Sequence, residues 1–209
     1  MNRREWMGVS VGTFFATGCQ ERKREVVQDA EIAWSPLLGK WAAVSDANIV
    51  EDDGVLRIGW AETLAAARWE GDVPSVPFEL EMQARRVDGT DFFCAITFPA
   101  RGADQCVTMV AGGWGGALVG ISSIDEKDAS DNETTMHHRF ENGRWYQFRI
   151  LCDGKRISTW IDGKQVINGS IEGKRLSLRP GPISVCAPFG LATWQTTGEI
   201  RGMRWRRMK

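Results

Sequence analysis

The sequence lacks an excess of charge of either sign, since its 26 basic and 27 acidic residues leave a net charge of −1. A chain with so little net charge has no overall field to attract nucleic acid or an anionic membrane. It also lacks a Gly-x-Ser-x-Gly elbow, a phosphate-binding loop and a dinucleotide fingerprint, which argues against those enzyme classes. Without a Cys-x-x-Cys pair or a Cys/His cluster, a zinc site is not expected. We therefore predict no nucleic-acid partner and no cofactor, with calcium as the alternative considered below.

The C-terminus is the obvious candidate for a local basic patch. Because basic residues commonly protect the exposed edges of sheets, we predict that this run is the solvated edge of a final strand. The run comprises Arg201, Arg204, Arg206, Arg207 and Lys209.

Histidine and tyrosine are scarce, with two and one residues, whereas tryptophan and glycine number 10 and 23. Segment 78–85 alternates apolar and polar side chains, which predicts a strand with one buried face. Segment 145–167 predicts three strands joined by two Asp-Gly turns. Only segment 61–69 has a helical composition, with a loop as the alternative. Further strands are predicted in 49–59 (two strands), 92–98, 105–111, 117–122, 183–187, 191–194 and 199–206. Closely spaced strands with turns between them predict an all-β fold in one domain, either a barrel or a β-sandwich of two antiparallel sheets.

The N-terminus has the layout of a targeting segment. Two arginines, Arg3 and Arg4, precede an uncharged stretch at 8–18 that ends at Cys19. We predict a signal peptide at 1–19, either of the twin-arginine type or of the lipoprotein type, with an uncleaved helix as the alternative. In the lipoprotein case Cys19 would be lipidated and would anchor the chain to a membrane. Charged residues 20–36 are predicted to form a tether, with the domain at 37–208 and the protein exported to the periplasm or cell envelope.

Four further cysteines lie in apolar, strand-like segments. In an exported chain an even number permits disulfides, and three pairings are possible. Free thiols buried in the core are the alternative. The four residues are Cys94, Cys106, Cys152 and Cys186.

The C-terminal half carries a recognisable series of short motifs. It contains the Trp145-Tyr146 strand, the hairpin at 162–166, and a final strand at 198–205 that reads GEIRGMRW. This series resembles the bacterial 3-keto-disaccharide hydrolase family over about residues 37–208. The resemblance implies a concanavalin-like jelly-roll sandwich and a carbohydrate partner.

The sequence departs from this family in one segment. Members carry an Asn-Ser-Gly motif in a mid-chain strand where they build a site, whereas residues 89–94 here read GTDFFC. The resemblance implies a hydrolase or lyase that acts on 3-keto glycosides. The departure leaves open a non-catalytic carbohydrate-binding or cell-envelope interaction module.

Three carboxylates are the candidate catalytic residues. Glu79 and Glu81 lie on the same face of a predicted strand about 7 Å apart, a separation that permits two-carboxylate glycoside hydrolysis. Glu133 lies in the acidic segment 125–133, beside a predicted sugar-binding rim. For each carboxylate, a solvated surface position is the alternative.

Four residues are the candidate substrate-binding set. Trp114 lies among four glycines, which would let a ligand approach closely. Asp125 and Asn132 belong to the acidic segment, whose oxygens could otherwise bind calcium or simply be hydrated. His137 is one of only two histidines, and an imidazole can act as a base, with a surface pair of histidines as the alternative.

Overall fold

Two antiparallel sheets account for most of the computed structural model, which describes residues 32–209. These residues form one compact unit, in agreement with the predicted single domain. The signal peptide at 1–19, the lipidation of Cys19 and most of the tether at 20–36 lie outside the described residues. Within 32–209, no helix has the length and apolar character needed to cross a membrane.

Fifteen strands are present in this part of the chain, together with a helical turn at Gly113–Gly116 and a 3-10 helix at Pro182–Cys186. In chain order the strands are β1 (Ser35–Pro36), β2 (Trp41–Ala43), β3 (Ile49–Asp52), β4 (Val55–Ile58), β5 (Leu64–Trp69), β6 (Phe78–Gly89), β7 (Cys94–Pro99), β8 (Cys106–Gly112), β9 (Leu118–Ser122), β10 (Met136–His137), β11 (Tyr146–Cys152), β12 (Arg156–Ile161), β13 (Lys164–Ser170), β14 (Gly190–Trp194) and β15 (Thr196–Arg207).

The strands form a sandwich of two sheets, as predicted. Sheet A has the order β13-β12-β11-β6-β15-β4-β3, with β1 paired to β15. Sheet B has the order β10-β9-β8-β7-β14-β5-β2. The alternating segment at 78–85 lies in β6, and the predicted triple hairpin at 145–167 forms β11, β12 and β13. Period-two alternation and Asp-Gly turns therefore identified the part of sheet A from β13 to β6 correctly.

The core between the sheets is built from the inward side chains of both. Phe78, Leu80, Met82 and Ala84 of β6 are fully buried, which confirms the face predicted from their alternation. An aromatic cluster fills one end, where the Phe93 ring meets the Phe140 ring edge-on at 4.9 Å between centroids. Edge-to-face packing of this kind adds to the stabilisation from buried area. Tyr146 and Phe148 complete the cluster.

Three predictions of local structure are wrong. Residues 61–69 form neither a helix nor a loop over most of their length, because 64–69 are strand β5, whose alanines are buried. Residues 183–187 lie largely in the 3-10 helix at Pro182–Cys186, which begins with a proline at a position suited to a helix start. The C-terminal run is not the edge of a sheet, because β15 pairs with β6 on one side and with β4 and then β1 on the other.

The four cysteines of the described region are free thiols, which agrees with the buried-thiol alternative and with none of the disulfide pairings. All four are buried. Burial raises the pKa of the Cys94 thiol to about 12, so this residue remains protonated and inert at neutral pH.

The outer face of sheet A is covered by arginine, and we call it the arginine face. Glu79 accepts hydrogen bonds from Arg149 at 2.5 Å and from Arg206 at 2.7 Å. Glu81 accepts a hydrogen bond from Arg204 at 2.7 Å. On the neighbouring strand β15, Glu199 pairs with Arg57 and Arg85 in the same way. The face comprises Arg57, Arg85, Arg149, Arg201, Arg204 and Arg206 with Glu79, Glu81 and Glu199, and Trp34, Trp145 and Trp160 beneath guanidinium groups.

These pairs make the stability of the sandwich dependent on pH. Burial of Glu79 raises its pKa, but hydrogen bonds and positive charge from Arg149 and Arg206 outweigh burial and hold the pKa below its usual value. A carboxyl whose pKa is lowered by folding stabilises the protein above its unfolded pKa and loses that contribution as the pH falls. The same balance lowers the pKa of Glu199 beside Arg85 and Arg57.

We therefore expect the free energy of unfolding to fall between about pH 5 and pH 3. Glu79→Gln should cost about 1–2 kcal/mol at pH 7 and should flatten this acid-limb decline. Urea unfolding at a series of pH values, followed by tryptophan fluorescence, measures both effects. The exposed Glu172→Gln is the control. An equal loss in the two variants, or an unchanged slope for Glu79→Gln, would contradict the assignment.

Candidate functional site

A pocket of about 340 Å³ lies on the outer face of sheet B, on the side of the sandwich away from the arginine face. Its floor is formed by outward-facing residues of four strands. These are Leu64 of β5, Ala95 of β7, Thr108 and Val110 of β8, and Ser122 of β9. Most of these side chains are small, so the sheet itself leaves room for a ligand.

The walls come from segments that are distant in sequence. The loop between β6 and β7 supplies an acid and an aromatic ring, the helical turn supplies Trp114, and the loop after β9 supplies a second acid. The segment 179–183 closes one side, and β14 adds a tryptophan. These wall residues are Asp91, Phe92, Trp114, Asp128, Arg179, Pro180, Pro182, Ile183 and Trp194.

Trp114 is presented to solvent by an unusual stretch of backbone. Its own φ is 49°, and Gly115 follows at φ 85°, a region that glycine enters without strain. The indole is 45% exposed, a large fraction for tryptophan. The Arg179 guanidinium lies 5.5 Å from the centroid of its ring. This turn holds an accessible aromatic ring at the pocket rim, and the predicted contact of Trp114 with a sugar stays a prediction.

Asp128 is held in place by three partners. Its Oδ1 accepts hydrogen bonds from the Ser122 hydroxyl at 2.5 Å and from the backbone N–H of Ala129 at 2.8 Å. Its Oδ2 pairs with Nη1 of Arg179 at 2.9 Å. Because both oxygens are engaged, this carboxylate fixes the guanidinium at the pocket wall.

Asp91 is the less engaged of the two pocket acids. Its Oδ1 accepts from the backbone N–H of Phe92 at 2.7 Å. Its Oδ2 has a longer contact of 3.4 Å with the N–H of Gly115. A carboxylate that lines a pocket and has one weakly bonded oxygen can accept a proton from a bound molecule. Asp91 lies in segment 89–94, where the family motif is absent from the sequence.

Arg86 lies beneath these loops and is almost fully buried. Its Nη2 donates to the carbonyl of Phe140 at 2.9 Å, and its Nε donates to Oδ1 of Asn142 at 2.6 Å. Its Nη1 makes contacts of 3.4 Å with the carbonyls of Asp91 and Gly116. Burial lowers the pKa of the guanidinium, which nonetheless stays charged as arginine does in proteins. One side chain thus links the Asp91 loop to the Trp114 turn.

The structure does not place the predicted catalytic carboxylates at this pocket. Glu79 and Glu81 lie on the opposite sheet, within the arginine face, where each is paired with arginine. Glu133, which is half exposed, pairs with Lys174. Alternate acids on a strand mark a polar face, and here that face is satisfied by cross-strand arginines. All three are described residues outside the pocket lining, so the geometry gives their predicted chemistry no support.

The other predicted binding residues also lie away from the lining. Asn132 holds the loop that carries Asp128, because its amide nitrogen donates to the carbonyls of Ile121 and Asp128 at 2.8 and 2.7 Å. Asp125 accepts from the backbone N–H of Arg175. His137 is exposed on β10. In the part of the chain that the structure describes, no group of three or more acidic, His or Cys residues is placed to hold a metal ion.

Sequence reasoning missed most of the residues that line the pocket. Asp91 and Phe92 carried a signal, since they occupy the segment that corresponds to the site of the resembling family. Asp128 was treated only as one acid of a calcium-like loop. Arg179 and Trp194 carry no signal in the local sequence. Only the tertiary fold brings the loop that holds Arg179 and the strand β14 that holds Trp194 to the pocket.

Comparison with known proteins gives a consistent assignment of the fold. A family model described as a 3-keto-alpha-glucoside-1,2-lyase-like domain matches residues 34–206. Among solved structures, carbohydrate-binding module CBM66 from Bacillus subtilis has a TM-score of 0.55 at 14% identity, covering 80% of this chain and 95% of its own. The apo Crh5 transglycosylase has a TM-score of 0.58 at 10% identity, over 84% of this chain and 81% of its own.

A third structure, of a Bacillus subtilis protein of unknown function with a galectin-like fold, has a TM-score of 0.59 at 10% identity. It covers 83% of this chain and 94% of its own. At these identities the likeness shows the fold alone, which is the predicted concanavalin-like sandwich. No curated protein matches the chain.

Proposed function

Because the chain belongs to the 3-keto-alpha-glucoside-1,2-lyase-like domain family, we propose that its sheet-B pocket binds a 3-keto glucoside and cleaves the glycosidic bond by elimination. The observation that most directly supports this proposal is that two carboxylates, a guanidinium and two tryptophan rings surround one pocket. Flat apolar rings suit the faces of a sugar, and charged groups suit its hydroxyls and ketone. The volume of about 340 Å³ is at the lower end for small-molecule sites and fits a sugar of one or two rings.

The ketone determines the chemistry of such a substrate. A carbonyl at C3 makes the proton on C2 acidic, so a base can remove it to give an enolate. The electron pair then forms a C1–C2 double bond, and the C1–O bond breaks with its pair on the leaving oxygen, which takes a proton. The products are an unsaturated 3-keto sugar and an alcohol, and addition of water to the double bond completes hydrolysis. The site must supply a base, a donor to the enolate oxygen and a proton for the leaving group.

The pocket residues fit these roles unequally. Asp91 is the base, because its Oδ2 has only the 3.4 Å contact with Gly115. Arg179 is the donor to the enolate oxygen, since a fixed guanidinium stabilises developing negative charge. Asp128 orients that guanidinium through the 2.9 Å ion pair. The proton that Asp91 accepts is available for return to the leaving oxygen, so the step balances without another reactant.

A non-catalytic carbohydrate-binding role is the second candidate. The observation that favours it is the engagement of Asp128 by three protein partners, which leaves one weakly bonded acid in the pocket rather than a pair. The exposed Trp114 would then act as a binding platform. The CBM66 module is an example of this sandwich in a carbohydrate-binding protein.

Sugar release by the full chain from matched substrates distinguishes the two roles. The substrates are a set of 3-keto glucosides and their unoxidised parent glucosides. Release from the keto sugars alone, with an unsaturated 3-keto product, supports elimination. Retention of sugars without any release supports the binding role. Release from the parent glucosides at equal rates contradicts the elimination chemistry.

Trp114→Ala is expected to weaken glucoside binding by about tenfold, because it removes one apolar ring face from the pocket. The fold should be unaffected, since the indole projects from a surface turn. Isothermal titration calorimetry measures the affinity, and thermal unfolding checks stability. Trp60→Ala is the matched control, because Trp60 is 54% exposed and lies outside the pocket lining. Equal losses for the two variants would remove Trp114 from the site.

A further inference from the structure

We infer that the arginine face of sheet A is a second binding surface, which takes an anionic polysaccharide that carries uronic-acid carboxylates. It lies on the sheet opposite the pocket and is built from different strands. The inference therefore does not depend on the proposed reaction, and each can fail without the other.

The first step is the charge of the face. Six arginines surround three glutamates at its centre. The register adds one residue of each sign at the margins, Arg156 of β12 and Asp52 of β3. The whole chain has a net charge of −1, so this face is positive against a background that is slightly negative. Local charge of one sign on one surface attracts a partner of the opposite sign.

The second step is the way in which the glutamates are shared. Glu79 lies between Arg149 and Arg206, and Glu199 lies between Arg57 and Arg85. One carboxylate cannot neutralise two guanidinium groups, so the cluster of Arg57, Arg85 and Glu199 keeps a positive charge. Arg201 donates to the neutral amide oxygen of Gln83 instead of to an acid. The excess charge is consequently spread along the face rather than held at one point.

The third step is the fixed geometry of the guanidinium groups. Arg201 lies over the Trp145 ring at 4.0 Å from its centroid, and Arg149 lies over the Trp160 ring at 4.7 Å. Arg204 and Arg206 both lie over Trp34. Stacking on an aromatic ring holds a guanidinium in place before a ligand arrives, so the arginine loses less conformational entropy when it binds. Yet the groups stay accessible, since the side chains of Arg57 and Arg204 are 47% and 49% exposed.

The last step is the choice of partner. Arg204 donates to Oε2 of Glu81 through both Nε and Nη2, at 3.1 and 2.7 Å. The guanidinium groups of this face are therefore already arranged to bind a carboxylate. Single-stranded nucleic acid would need open aromatic rings on which bases stack, but guanidinium groups cover these rings. A broad sheet face also does not enter a duplex groove as a helix does. A linear polymer with carboxylates at regular spacing fits the separated positive clusters.

The test measures binding of the full chain to polygalacturonate, with neutral dextran and poly(dT) as comparison polymers. Polygalacturonate should bind, and added salt should weaken it, because salt screens exposed charges. Arg57→Gln/Arg201→Gln/Arg204→Gln should reduce the affinity by at least about tenfold, since it removes the excess positive charge of the face. Arg101→Gln/Arg139→Gln/Arg175→Gln changes the net charge equally at exposed positions off the face and should leave binding unchanged.

Each alternative result overturns the inference. If polygalacturonate does not bind, or if dextran binds equally well, an anionic polysaccharide is excluded as the ligand of this face. Tighter binding of poly(dT) assigns the face to nucleic acid. Equal losses in the two triple variants reduce the effect to overall charge. Asp91→Asn should bind polygalacturonate normally whether or not the pocket proves catalytic, which keeps the two proposals separate.

Discussion

Asp91→Asn is expected to lower sugar release from a 3-keto glucoside by about 10²–10⁴-fold, the range over which a positioned general base accelerates proton transfer. The substitution keeps the shape of the side chain and the Oδ1 acceptor for the N–H of Phe92, so the loop should persist. It removes the negative charge and basicity of the weakly bonded Oδ2. The loss should appear in kcat, while the affinity for the unoxidised parent glucoside stays within about threefold.

Two variants make this measurement specific. Asp128→Asn should reduce the rate less, because Asp128 acts through Arg179 and keeps an acceptor for the Ser122 hydroxyl. Asp131→Asn lies in the same loop as Asp128 but outside the pocket lining, and should not change the rate. Full activity of Asp91→Asn with loss in Asp128→Asn would move the base to Asp128. Full activity of both would exclude carboxylate catalysis in this pocket.

The sequence was sufficient to predict the fold where local patterns and tertiary structure agree. The apolar side chains that alternate along 78–85 form the buried face of β6, and the Asp-Gly pairs form the turns of the triple hairpin. The prediction for segment 61–69 is wrong because alanine favours helices in isolation. In the fold, β5 is paired on both sides, to β2 and β14, and is almost entirely buried. Tertiary context overrides propensity in such cases.

The candidate site was harder to predict for the same physical reason. Alternation showed that Glu79 and Glu81 share a face, but not what that face meets. Their partners Arg206 and Arg204 follow more than a hundred positions later, and only the pairing of β15 with β6 brings them together. Pocket walls that come mostly from loops leave no periodic signal in the sequence. Trp114 does line the pocket, and the glycines on both sides of it are the feature that singled it out in the sequence.

Arg86→Met is expected to destabilise the domain by at least about 3 kcal/mol, because several buried acceptors lose their donor together. The carbonyl of Phe140 and Oδ1 of Asn142 lose hydrogen bonds of 2.9 and 2.6 Å, and the carbonyls of Asp91 and Gly116 lose longer contacts. Methionine fills much of the volume but supplies no donor. Urea unfolding at pH 7 measures the loss.

The neighbouring Arg85→Met is the matched control, and it should cost about 1 kcal/mol or less. Arg85 points to the outer face of sheet A, and Glu199 keeps its pair with Arg57 when Arg85 is removed. Arg86→Lys should recover part of the stability, since an ammonium can reach fewer of the four acceptors than a guanidinium. Similar costs for Arg85→Met and Arg86→Met would show that Arg86 contributes no more than a surface arginine.

The same residue connects stability to the pocket, because Arg86 touches both the Asp91 loop and the Trp114 turn. In Arg86→Lys, which keeps the charge, glucoside affinity should fall by about the same factor as in Trp114→Ala, although no pocket side chain has changed. Calorimetry at a temperature where both proteins are folded separates this positioning effect from unfolding. Unchanged affinity in folded Arg86→Lys would leave Arg86 a purely structural role, with the pocket walls held by their own loops.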